Sequence, residues 1–175
     1  MDLLSSIMLP GAESALKTWQ GEAGSPIQSC VWEITRCAGI LSAREYQKNQ
    51  SQGHTNIVGS SKDLISASQP STESLVKSIL CSIRVLRSGG LKEVIPFKQT
   101  LLYPVVAAAS QSQFLTELDQ NFILDCVKDI ARNNGSGSNP YYNGIHVVLT
   151  KLWAGDVGTS LENVARNLGH ELGLF

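Results

Sequence analysis

Apolar residues recur along most of this chain at the three- and four-residue spacing of a helix. The clearest case runs from Glu117 to Asn133, where Leu115, Leu118, Phe122, Ile123, Cys126, Val127 and Ile130 form one wide stripe. Thr116 is placed to cap its start, with Asp119 three residues on. Glu117 and Asp119 suit the positive end of the helix dipole, and Lys128 and Arg132 the negative end. Asn134-Gly135 then supplies a stop.

Four further segments carry similar stripes. Val31, Ile34, Ala38 and Leu41 predict a helix over 27–47, and Leu75, Ile79, Ile83 and Leu86 another over 71–87. Ile145, Val148, Leu149, Leu152 and Trp153 predict one over 140–154. Leu161, Val164, Ala165, Leu168 and Leu172 predict a last one. It opens on Thr159-Ser160-Leu161-Glu162, a capping box, and has Gly169 near its exit. A weaker pattern covers Glu13 to Trp19.

Leu101 to Ser110 is apolar throughout, so its periodicity fits a buried strand or a buried helix. The run Ala107-Ala108-Ala109 favours the helix, and Pro104 then suits a first turn or a kink. No strand alternation recurs elsewhere. The chain is therefore expected to be all-α, an irregular array of about six to eight amphipathic helices. Residues 1–47 form N-terminal helices, 48–70 a Ser-, Gln- and Gly-rich loop or linker, and 71–175 a C-terminal helical part.

Composition adds bounds more than identity. At 175 residues the chain is one domain's length, and 42% apolar content permits a core. Fourteen Lys and Arg against fifteen Asp and Glu give a net charge of −1, which argues against a strongly basic nucleic-acid binder. The start, Met1-Asp2 with a stop at Pro10, does not predict a secretory signal, and no apolar run approaches the ~20 residues of a bilayer span. Cys30, Cys37, Cys81 and Cys126 are widely spaced, and three of them lie in apolar stripes, which predicts free thiols in a reducing compartment.

Candidate chemistry is sparse. His54, His146 and His170 are far apart, and none sits in a metal-binding His pair. Cys30 and Cys37, seven apart, fit one helix face better than a zinc cluster, which would carry a Cys-x-x-Cys pair. No nucleophile elbow, phosphate loop or dinucleotide fingerprint is present. Asp125 and Asp129, four apart beside Lys128, suit a solvated face, and Arg84 and Arg87 the end of a helix. No catalytic, cofactor-binding or metal-binding residues are assigned, and no turnover is expected.

One block is more specific. Leu101-Leu102-Tyr103-Pro104-Val105-Val106-Ala107-Ala108 is followed by a helix of about 17 residues, then by Tyr141-Tyr142 and Val147-Val148-Leu149-Thr150-Lys151-Leu152-Trp153. With the helix over 71–87, this block resembles the C-terminal part of the fungal-specific transcription factor domain. That domain is the regulatory region of fungal zinc binuclear cluster regulators. The resemblance covers Ser71 to Ala154, with a looser echo around Cys30 to Glu45. Ala107-Ala108 stands where the family usually has Ala-Gly, and these 175 residues include no zinc cluster or basic linker.

The resemblance implies a nuclear or nucleocytoplasmic module acting in transcription regulation. Its partners would be proteins, a second copy of itself or a small effector, with no direct nucleic-acid contact and no membrane. Tyr103, Pro104, Leu152 and Trp153 would serve in the core. The alternative is an all-α enzyme or small-molecule binder unrelated to transcription. That reading requires titratable groups such as His146, Asp125 and Cys126 to converge in a cavity.

Overall fold

A computed structural model describes residues 26–53, 70–88, 100–133, 140–155 and 160–170. Among them are six α-helices and no strand. In chain order they are α1 (Pro26–Gly53), α2 (Thr72–Ser88), α3 (Leu102–Ala109), α4 (Glu117–Asn133), α5 (Pro140–Ala154) and α6 (Leu161–Asn167), with a short 3₁₀ turn at Ser112–Phe114. The all-α expectation holds. The expected helix over Glu13 to Trp19 lies outside the described residues.

The stripes become contacts. α1 packs against both α2 and α3, α3 also against α2 and α4, and then α4 against α5 and α5 against α6. Val31, Ile34, Ala38 and Leu41 of α1 are buried, as are Leu75, Ile79, Ile83 and Leu86 of α2. Ile145, Val148, Leu149 and Leu152 of α5 complete the list of stripes that face inward as their spacing predicts.

α3 occupies the centre. Leu102, Pro104, Val105, Val106 and the three alanines 107–109 are all buried, and only Tyr103 keeps partial exposure. A helix apolar on every side has no solvent face to offer. Pro104 sits in the first turn, where its missing N–H is one that a helix would leave unbonded anyway. The segment forms a helix and not a strand.

The ends are set by local chemistry. At α4, Thr116 Oγ1 accepts the Asp119 N–H at 3.2 Å, and the Asp119 carboxylate accepts the Thr116 N–H at 3.0 Å. This is the reciprocal cap expected from the sequence. At α6 the cap is Ser160, whose hydroxyl accepts the Asn163 N–H at 3.2 Å, so the capping position is one residue later than expected; Thr159 lies outside the described residues. Gly169, at φ 70°, ends α6. The His170 N–H donates to the Ala165 carbonyl at 2.9 Å and the Gly169 N–H to that of Arg166 at 3.0 Å, the paired bonds of a Schellman end.

Three expectations are corrected. α1 continues through Lys48 to Gly53, into the stretch expected to be a loop, because 48–52 contain no Gly or Pro and a formed helix propagates cheaply; residues 54–69 lie outside the description. Leu118 is 79% exposed, since it lies nine residues (two and a half turns) from buried Val127 and so on the opposite side of α4. Leu168 is 37% exposed, because it occupies the C-terminal cap of α6 beyond the helix's apolar stripe.

Candidate functional site

The four residues expected in the core divide into two kinds. Pro104 and Leu152 are buried outright. Tyr103 and Trp153 are partly buried and use their polar ends to join helices. The Tyr103 hydroxyl donates to Ser42 Oγ of α1 at 3.0 Å. The Trp153 indole Nε1–H donates to the Ala109 carbonyl at 3.0 Å, reaching from α5 to the C-terminal end of α3. The two ends of the block are thus anchored at the two ends of α3. Burial pushes the Tyr103 phenol above its ordinary value, against the hydrogen bond with Ser42.

Arg84 and Arg87 do more than decorate the end of α2. The Arg84 guanidinium donates to Asp119 Oδ1 of α4 at 2.6 Å, and Arg87 to Asp129 Oδ2. Both guanidinium groups also lie over the Phe122 ring, with their central carbons 4.6 and 5.4 Å from its centre. One aromatic ring on α4 is thus gripped by two cations from α2, each tied to a carboxylate flanking that ring. Burial opposes ionisation of Asp119, but bonds from Arg84 and Thr116 hold its carboxyl below the usual value. Arg87 also reaches Cys126 Sγ at 3.3 Å. The sequence carries half the signal, an Arg pair three apart with aspartates on another helix; their register across the interface is a property of the fold.

The titratable candidates do not meet. His54 lies outside the described residues. His170, at the exit of α6, rests its ring against Gly144 of α5. A Cβ at that glycine would come within 3.1 Å of its Nδ1. Asp125 is exposed, Asp129 is held by Arg87 and also pairs with Arg132, and Cys126 is buried. His146 lines a hollow, an open space of about 240 Å³ between α4 and α5 that it shares with Val127, Lys128, Ala131, Tyr142 and Asn143. Pockets that enclose drug-sized ligands run roughly 300–1,000 Å³, so this one would hold a fragment at most.

The cysteines are free thiols, with Cys37 and Cys126 buried, Cys30 intermediate and Cys81 exposed. Burial, then the neighbouring Glu33 charge, pushes Cys37 up to about 11. Burial likewise raises Cys30 against a bond with Ser82, and Cys126 against the pull of Arg87. Raised thiols are poor nucleophiles at neutral pH. Among the described residues no three His, Cys, Asp or Glu side chains are grouped to hold a metal ion. None of the helices there is long and apolar enough to cross a membrane.

In comparisons with known proteins, no family model, no curated protein and no solved structure matches the chain.

Proposed function

We propose that the chain is a regulatory helical module of the fungal transcription factor type, acting in transcription regulation through protein contacts rather than through DNA. One observation carries the proposal. Within the block that bears the resemblance, α3 packs against both α2 and α4, and two of the block's aromatic residues, Tyr103 and Trp153, hydrogen-bond to neighbouring helices. A nuclear location follows from the same resemblance. The balance of fourteen basic and fifteen acidic residues is consistent with a partner other than a polyanion. Exposed Trp32, Val85 and Val147 supply apolar contact residues for a protein partner or a second copy of the chain. A small effector is a further candidate ligand.

The test is to fuse the chain to an unrelated DNA-binding domain and measure a reporter gene downstream of its site. A regulatory module changes reporter output, and W153A, which removes the α5–α3 bond, weakens the effect. A folded fusion that leaves the reporter unchanged, and is excluded from the nucleus when expressed without the added domain, overturns the proposal.

A further inference from the structure

The hollow of about 240 Å³ between α4 and α5 takes one face from each helix. Val127, Lys128 and Ala131 are spaced by three and four residues, as are Tyr142, Asn143 and His146, so each set projects from one side of its helix. The two faces are graded alike. Val127 and Tyr142 are buried and make a largely apolar floor. Ala131 and His146 are half-buried, and Lys128 and Asn143 are exposed at the mouth.

The mouth carries donors with no carboxylate beside them. A lysine ammonium offers three N–H bonds, an asparagine amide two, and an imidazole at least one in either protonation state. Among the described residues, the side chains of Lys128, Asn143 and His146 engage in no hydrogen bond or ion pair; His146 bonds Thr150 through its main-chain carbonyl alone. No Asp or Glu is among the described residues that line the space. Asp129 of α4 is held by Arg87, and Asp125 is exposed and does not line it. The positive end of α5 and the negative end of α4 adjoin here, and their opposite partial charges offset one another. The full charge of Lys128 therefore sets the sign of the hollow.

We propose that this hollow binds a small carboxylic acid, with the carboxylate at Lys128, Asn143 and His146 and a short apolar or aromatic body over Val127, Ala131 and Tyr142. Apolar walls with a few polar groups that fix orientation are the usual make-up of a ligand site. A phosphate ion has no apolar body and would use the mouth alone. Such an acid would be the small effector of a regulatory module; that consequence rests on the regulatory reading, whereas binding itself does not.

Benzoate is the probe, titrated into the full chain and followed by backbone amide NMR. Shifts should gather at residues 127–131 and 142–146 and saturate with a Kd on the order of 1 mM. Benzamide keeps the ring without the charge, and inorganic phosphate the charge without the ring; both should bind at least about threefold more weakly. K128M keeps most of the stem and should weaken benzoate by about three- to fivefold, the value of an ion pair at an exposed position. A131F fills the floor and should abolish the shifts. Shifts that do not saturate or that scatter over other helices overturn the proposal, as do equal binding of benzamide or phosphate and unchanged affinity in K128M. Lys128 is exposed, so K128M decides the matter if A131F does not fold. In the reporter fusion, benzoate should change output for wild type and less for K128M. Saturable binding with no change of output supports the site and counts against the regulatory reading alone.

Discussion

The two shortest helices are held in opposite ways. α3 has eight residues, α6 seven, and neither is long enough to persist alone in water. α3 has no side-chain cap, since Leu101 stands at its N-terminal boundary, and it buries seven of its eight residues. α6 buries three, Leu161, Val164 and Ala165, and is fastened at both ends by Ser160 and Gly169. A short helix can therefore be sustained by its surroundings or by its own termini. The two solutions should fail differently when altered.

The largest effect belongs to α3. Leu102 is 7% exposed and borders the core at the start of the helix. L102A should cost about 2–5 kcal/mol of unfolding free energy, as large-to-small changes in packed cores do. Denaturant titration would measure it. Because α3 touches α1, α2 and α4, the loss should appear as one lowered transition for the whole chain. A local change, with the rest of the protein melting as before, would mean α3 is not the shared centre.

The middle effects belong to α6 and should stay local. Gly169 has φ 70° and open space where a Cβ would go, so G169A adds no clash and tests the backbone conformation alone. It should cost about 1–2 kcal/mol, and G169N less, since asparagine tolerates this region better. S160A removes the acceptor for the Asn163 N–H and should cost about 1 kcal/mol, with S160D close to wild type. Amide exchange in α6 would check both. Equal loss of protection in α3 would show that the helices are coupled more tightly than their different supports suggest.

The contrast also explains what the sequence could disclose. Caps and helix stops are local, so Thr116 with Asp119, and Gly169 after α6, were legible from residue types alone. The stripes of α1, α2 and α5 were legible because each has one wet and one dry face. α3 has no wet face, so its pattern could not separate strand from helix, and the alanine run had to decide. Leu118 and Leu168 were misplaced because an apolar residue near a helix end satisfies the period whether or not a neighbour covers it. The grip of Arg84 and Arg87 on Phe122 was illegible for a related reason. It depends on which turn of one helix faces which turn of another, and spacing within a helix does not fix that.

The smallest effect lies where α2 meets α4. Arg84 is 46% exposed and Asp119 18%, so their ion pair works partly in water, where such pairs are worth about 0.2–1 kcal/mol. Asp119 also caps α4 through Thr116, and a simple D119A would remove both functions. D119N keeps an oxygen for the Thr116 N–H while removing the charge. The cycle formed by R84A, D119N and the double variant should therefore give a coupling within that range, shrinking in added salt. R84K is the sharper variant. It keeps the charge but loses the planar group that lies over Phe122, so stability below wild type in high salt would assign the remainder to the ring. If R84K equals wild type at every salt concentration, charge alone joins these two helices and the aromatic contact is incidental.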